Sequence, residues 1–206
     1  MDRYWRGGDL KDDIWKVIEP DLHLAEHVHL QGWGEPLLHP MLPIWVAKAR
    51  EKGCTIGITT NGDLLDAATD WLLKGNVDLI TVSAAGVLKN HETLRGGSKL
   101  EQVLASAGNL AALSREKGLR MKIQMSFLLT RSNTADLPKA VELAARSGLD
   151  EVFVTHLDCM PTKPHYEQAA YNDDTIIPEG MAVLKVAEKT ARRFGIRTLR
   201  WMPQSP

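Results

Sequence analysis

The feature that most constrains this chain is an alternation: a short β-branched, apolar run followed by a stretch of helical spacing, repeated four times with brief connections. The runs are "HVHLQGW" from 27, "TIGITTN" from 55, "LITVSAA" from 79, "MKIQMSFLL" from 121 and "EVFVTHL" from 151, each with the composition of a strand. Between them, residues 41–52 carry Leu42, Trp45, Val46 and Ala49, and residues 64–74 carry Leu65, Ala68, Trp71 and Leu72, spacings that put the apolar residues on one helical stripe. Residues 100–117 and 135–147 repeat the pattern. Strand then helix, with right-handed crossovers, predicts a parallel sheet covered by helices. A glycine falls close behind each helical run, Gly75 among them, where a left-handed C-cap suits that residue.

The rest of the chain reads as one domain over 1–206. A leading helix is expected within 1–25, with Asp9 as its N-cap and Ile14, Trp15 and Ile18 on one side. The βα core runs over 26–158. A long loop is expected over 159–178, where three prolines interrupt any period. A terminal helix from about 179 then precedes the short strand candidate "IRTLRW".

Composition narrows the class. Lys plus Arg number 25 and Asp plus Glu 26, so no net field draws the chain to nucleic acid or anionic lipid, and neither is expected as a partner. No apolar run reaches the length of a membrane span, and "MDRYWRGGDLKDD" is too polar for a secretory leader; a cytoplasmic location is the expectation. The two cysteines, Cys54 and Cys159, form no metal-binding spacing. Cys54 precedes a strand and is expected as buried packing.

Strand alternation gives the expected interior. Val28 and Leu30, Ile56 and Ile58, Ile80 and Val82, Ile123 and Met125 form apolar rows; opposite them stand His29 and Gln31, Thr55, Thr59 and Asn61, Thr81 and Ser83, Gln124 and Ser126. A closed βα barrel fills its interior with aliphatic side chains, so a polar inner row implies a wide or partly open barrel whose site lies at the C-terminal strand ends.

At those ends, "GWGEP" (Gly32 to Pro36) has two readings. Gly32 and Gly34 either let the backbone approach a ligand, with Glu35 held at the rim by Pro36, or serve a turn needing positive φ twice, with Glu35 starting a helix. "TTNG", ending in Asn61 and Gly62, is either a turn or a second rim element beside it. Ser83, Gln124 and Ser126 are either ligand groups or lumen residues bonded to one another. Arg95 reads as a solvated loop arginine and His156 as a lone polar rim residue. His27 and His29 form an H-x-H pair, but below the strand end where a catalytic metal belongs; no metal site is expected.

These residues carry a resemblance. "LQGWGEPLLHP", then "TTNG", "DLITVSAAG" and "FLLTRSNTADLPKAVELAARSG" look like the radical S-adenosylmethionine enzymes, over about residues 10 to 160, and most like the branch of molybdopterin-synthesis and peptide- or sulfatase-maturing members. The resemblance implies an α/β fold, a partial parallel (βα)6 TIM-like barrel lacking its first strand. It implies that Gly32, Trp33, Gly34 and Glu35 hold the methionine amino group of S-adenosylmethionine. Asn61 would join that rim, Ser83 would contact ribose or carboxylate, and Gln124, Ser126, Thr155, His156 and Leu157 would lie near the nucleoside. It also implies a 4Fe-4S cluster whose reduction cleaves S-adenosylmethionine to a radical that abstracts hydrogen from a substrate, peptide or small molecule, with a reductant protein as partner.

The departure is at the cluster. The family's C-x3-C-x2-C loop is absent from this sequence, and three thiolates are needed to hold such a cluster with one iron open. A fragment, a mis-started gene or a degenerate member would each explain it. This polypeptide alone is expected not to cleave S-adenosylmethionine. The rival readings are a non-catalytic binding or scaffold domain of the same fold, and a metal-dependent or Schiff-base barrel enzyme. Against the last, Lys122 stands too early in its strand.

Overall fold

The structure, a computed structural model, describes residues 8–156, 176–196 and 198–201, the side chains of His156, 176–179 and 198–201 excepted. Six parallel strands form one open sheet in chain order: β1 (His27–Leu30), β2 (Thr55–Thr60), β3 (Leu79–Ala84), β4 (Lys122–Leu129), β5 (Glu151–His156) and β6 (Thr198–Trp201). Every neighbouring pair is parallel, as the βα repetition requires.

Helices α2 (Leu42–Glu51), α3 (Leu65–Lys74), α5 (Leu100–Glu116) and α6 (Leu137–Arg146) follow β1 to β4. They cover one face, and the rows expected as apolar are the rows they cover. Ile56, Ile58, Ile80, Val82, Ile123 and Met125 are fully buried against Val46, Ala49, Leu65, Leu72, Leu104, Leu110 and Val141. Val28 and Leu30 are only half-buried, since β1 has a strand neighbour on one side among the described residues. Along β4 the burial alternates residue by residue, the period of a strand with one dry face and one wetter one.

Several boundaries differ from the sequence reading. The leading helix α1 (Asp12–Ile18) starts three residues after Asp9, with Lys11 at the N-cap and no side-chain cap. Only Trp15 of its apolar residues is buried, stacked on Trp45 of α2 at 4.8 Å between ring centroids, while Ile14 and Ile18 are exposed. One aromatic anchor, with Trp15 Nε1 donating to Glu19 at 2.9 Å and Lys48 of α2 paired to the same carboxylate at 2.6 Å, docks so short a helix without the aliphatic pair. β1 stops at Leu30, so Gln31 and Trp33 belong to a loop. Gly75 caps α3 in ordinary helical conformation, and Asn76 takes the left-handed position with φ 46, a conformation its short polar side chain tolerates.

A further helix, α4 (Leu88–Leu94), lies where the sequence offered no apolar period, and the terminal helix α7 spans Ile176–Phe194, three residues earlier than expected. Most of the expected 159–178 loop lies outside the described residues.

The N-terminal end of the wall is fastened by one device used twice. Asp78 Oδ2 accepts the Ile56 N–H at 2.7 Å, and the Asp78 N–H donates to the Ile56 carbonyl at 2.9 Å; Asp150 does the same to Ile123, at 2.9 and 2.8 Å. An arginine from the helix layer bonds both the aspartate and the carbonyl two residues before it: Arg50 to Asp78 and Asn76, Arg115 to Asp150 and Gly148. Each clamp ties the entry of one strand to the start of its neighbour.

Candidate functional site

The register sorts the inward row into levels. His29 pairs with Gly57, Gly57 with Leu79 and Leu79 with Lys122, so the histidine of the short β1 stands beside the first residues of β3 and β4, on the floor of the lumen. One level up are Thr59, Thr81, Gln124 and Glu151. Above these, Ser83 pairs with Ser126 and Ser126 with Phe153; Asn61, one residue past the Thr60–Val82 pair, stands beside Ser83. Thr155 pairs with Leu128 at the next level; His156 pairs with Leu129, a residue of the buried row, and so departs from the inward row. Leu157 lies outside the described residues.

Most polar groups of the floor bond one another, through one nitrogen of each histidine ring. His27 Nδ1 lies 2.8 Å from Thr55 Oγ1 and His29 Nε2 lies 2.8 Å from Thr59 Oγ1. Partial burial, and then the neighbouring His27, push the His29 imidazole below its ordinary pKa. Lys122 pairs with the buried Glu151, so the one lysine considered for Schiff-base chemistry is engaged at the wrong end of the barrel. Gln124 Nε2 donates to Thr81 Oγ1 at 2.9 Å, the mutual satisfaction that the bland reading of lumen residues described.

The rim is different, and Glu35 organises it. Its Oε1 accepts the Leu37 N–H at 3.0 Å and the Thr60 hydroxyl at 2.7 Å, and its Oε2 accepts the Asn61 N–H at 2.6 Å. Glu35 therefore caps the 3-10 turn Pro36–Leu38 and also ties the loop after β1 to the end of β2. Three of the roughly four acceptor sites of a carboxylate are used; one is left. Thr60, which was not singled out as a site residue, relays this brace by accepting the Gly62 N–H at 3.0 Å.

Gly32 and Gly34 part from the turn reading. Neither has positive φ, and a Cβ on either would meet nothing within 4 Å. Glycine is required there neither by backbone conformation nor by packing among the described residues, and Trp33 between them is 73% exposed. Gly62 is the opposite case: its φ is +89 and a Cβ would fall 2.4 Å from Val103 Cγ1. "TTNG" is a turn, with Asn61 Oδ1 accepting the Asp63 N–H at 3.0 Å, and it is also the second rim element, since its backbone holds Glu35. Ser83 and Ser126 are half-buried, and their hydroxyls have no hydrogen-bond partner among the described residues.

Two further residues shape the rim without having been foreseen. Asp136 Oδ2 accepts the Val87 N–H at 2.9 Å and Asn90 Nδ2 at 2.8 Å, binding the loop after β3 to the start of α6. His91 of α4 is fully buried and its Nδ1 accepts the Ala85 N–H at 3.3 Å. Burial, then the charge of Arg95, hold its pKa below the ordinary value against Asp63, Glu101 and Glu92. The signal for Asp136 was the helix-start pattern "NTADLP"; for His91, in a helix without apolar period, there was none.

No family model matches the chain. It is 26% identical over 206 residues to the PqqA peptide cyclase of Granulibacter bethesdensis, covering 95% of this chain and 51% of that protein. It is 31% identical over 125 residues to the GTP 3',8-cyclase of Chlorobaculum tepidum, covering 59% of this chain and 36% of that one. Streptococcus suis SuiB bound to S-adenosylmethionine superposes with a TM-score of 0.66 at 16% identity over 93% of this chain and 43% of SuiB. With the precursor peptide SuiA bound, SuiB gives 0.69 at 13%, over 98% and 44%. The chain resembles the radical S-adenosylmethionine superfamily. Its open parallel sheet is the partial barrel of those neighbours, and the molybdopterin-synthesis and peptide-maturing branches both fit. The chain spans about half the length of the Granulibacter protein and less of the Chlorobaculum one.

The two groups this likeness implies fare differently against the residues present. S-adenosylmethionine carries an amino-acid head group and ribose hydroxyls, and the rim offers open backbone at Gly32 and Gly34, a carboxylate with acceptor capacity left and two serine hydroxyls unpartnered among the described residues, a set of polar groups that suits it. A 4Fe-4S cluster does not fit. Cys54 is fully buried with Sγ directed at the carbonyls of Leu22 and Ala25, at 3.2 and 3.3 Å, and the sequence has one other cysteine, Cys159, outside the described residues. Among the described residues no helix is long and apolar enough to cross a membrane.

Proposed function

We propose that this chain is the barrel body of a radical S-adenosylmethionine enzyme, and that its rim binds and orients the cosubstrate. Gly32 to Glu35 receive the methionine amino group, with the fourth acceptor site of Glu35 directed to the ammonium and the glycine backbone lying against the ligand. Asn61 and Ser83 flank the carboxylate and ribose, and Ser126, Thr155, His156 and Leu157, with Gln124 below them, border the nucleoside. The chain's own part is to hold and orient S-adenosylmethionine; radical chemistry on it would need a reduced 4Fe-4S cluster, for which this sequence lacks the three thiolates, and a reductant protein as partner. A peptide is the favoured substrate class, because the likeness includes a cyclase of the PqqA peptide and SuiB with its precursor peptide bound.

The observation that carries this reading is the pair Gly32 and Gly34, open to solvent in ordinary backbone conformation beside a carboxylate. Two glycines exposed in this way let a ligand approach the backbone closely. Titration calorimetry of the chain with S-adenosylmethionine tests it. Saturable binding that weakens in Ser83→Ala, which removes a hydroxyl without a partner among the described residues, is the expected result. Affinity unchanged in both Ser83→Ala and Gly34→Ala would overturn the assignment.

A further inference from the structure

The H-x-H pair on β1 is not used by the proposed cosubstrate site, and its geometry has a purpose of its own. Thr55 Oγ1 donates its proton to the Glu26 carbonyl at 2.9 Å, so toward His27 Nδ1, 2.8 Å away, it can act only as acceptor. His27 therefore carries its proton on Nδ1, and its Nε2 is a bare lone pair. Thr59 Oγ1 lies 2.8 Å from His29 Nε2 and can accept its proton; in that tautomer His29 Nδ1 is bare as well.

Both bare nitrogens face one place. The residue in register with His29 is Gly57, and the point its Cβ would occupy is 2.4 Å from His29 Nδ1 and 3.3 Å from His27 Nε2. The two rings are 5.8 Å apart, tilted by 40°. Any side chain at 57 would fill the gap that the pair encloses. Here glycine answers to no turn: its φ is not in the left-handed region, and it lies within a strand, where glycine weakens pairing unless something must come close.

We infer that His27 Nε2 and His29 Nδ1, converging over Gly57, form a two-histidine site for a divalent transition cation of the zinc or copper kind on the lumen floor. Imidazole nitrogens suit these ions at about 2.0 to 2.1 Å, and an acceptor on the far N–H of the ring, the part open to the two threonine hydroxyls here, fixes the tautomer of a metal-binding histidine. The described residues bring no third His, Cys, Asp or Glu to the place, so water or a small ligand completes the coordination. His27 is exposed, which gives the ion an entry path. The site stands at the opposite end of the sheet from Glu35 and Ser83, and its success or failure is independent of the cosubstrate reading.

The test is Zn2+ titration of the untagged full chain by calorimetry, with Cu2+ electron paramagnetic resonance as the structural readout. One equivalent of saturable zinc, and copper hyperfine structure from two nitrogens, are expected. His27→Ala and His29→Ala should each abolish both, and Thr55→Val should weaken zinc by about tenfold through loss of the supporting hydroxyl. Gly57→Ala keeps both histidines but places a methyl between them, and should also abolish binding, with circular dichroism confirming that the fold persists. Zinc uptake surviving in His27→Ala/His29→Ala, uptake unchanged in Gly57→Ala, or no saturable uptake by the parent chain would each overturn the inference.

Discussion

The two ends of this parallel wall are built on opposite principles. At the N-terminal end, acceptors and donors close on one another: Asp78 and Asp150 clamp neighbouring strands, Lys122 pairs with Glu151, and Thr55 and Thr59 hold the two histidines. At the C-terminal end, the brace made by Glu35 holds the loops while Gly32 and Gly34 are exposed and the lumen-facing Ser83 and Ser126 hydroxyls have no partner among the described residues. A polar group satisfied within the fold contributes to stability. One left open contributes to binding, because its hydrogen bond is still to be made. The division into scaffold end and working end can be read from which groups have partners, before any ligand is considered.

That contrast can be broken by substitution. Gly62→Ala should have the largest effect, about 3 kcal/mol lost in denaturant unfolding, since it adds both a left-handed alanine and a clash with Val103. An effect within about 0.5 kcal/mol would mean that the rim scaffold is softer than its packing indicates. Asp78→Ala should cost about 2 kcal/mol by stranding the buried Ile56 N–H, and it should leave ligand affinity alone. Glu35→Ala is expected to move both quantities: stability falls by about 1 to 2 kcal/mol as three donors lose an acceptor, and S-adenosylmethionine binding weakens. A change in stability alone would make Glu35 purely a brace.

Acid should have a smaller effect. Because burial holds the folded pKa of His91 below the ordinary imidazole value, the unfolded chain takes up more protons, and the stability due to neutral His91 is present above about pH 6.5 and declines as pH falls through the folded pKa. A protonated His91 could no longer accept the Ala85 N–H. Unfolding midpoints compared at about pH 7.5 and 5.5 should show a shallower acid dependence in His91→Asn than in the parent; an identical slope would remove His91 from the account. Gly34→Ala should change stability least, within about 0.5 kcal/mol, and a larger loss would mean that this loop belongs to the scaffold after all.

Much of this was legible in the sequence, for identifiable reasons. The apolar rows and the four covering helices followed from two periodicities that tertiary packing does not oppose, and Ile56, Ile80, Ile123 and Leu104 lie where spacing put them. The short pieces were less legible: α1 is held by one stacked tryptophan and α4 by a buried histidine, and single anchors leave no period. At the site, position along a strand brought Asn61, Ser83 and Ser126 to one level. Spacing could not reveal that Glu35 is already bonded three times, because Thr60 and the Asn61 N–H come from another βα unit. Thr60 in particular sits on the row assigned to the core, and only the bend of the loop after β1 brings a carboxylate to its hydroxyl.

The Glu35 brace has a consequence for any measurement of ligand affinity. A ligand ammonium that takes the acceptor site left on this carboxylate finds the group already held by the Leu37 and Asn61 N–H groups and the Thr60 hydroxyl, so binding needs little further ordering of the loops. The same bonds that stabilise the folded rim pre-organise it for the ligand. Thermal shift and calorimetry should then report one dissociation constant, because a ligand that binds only the folded chain stabilises it by an amount set by its concentration relative to Kd.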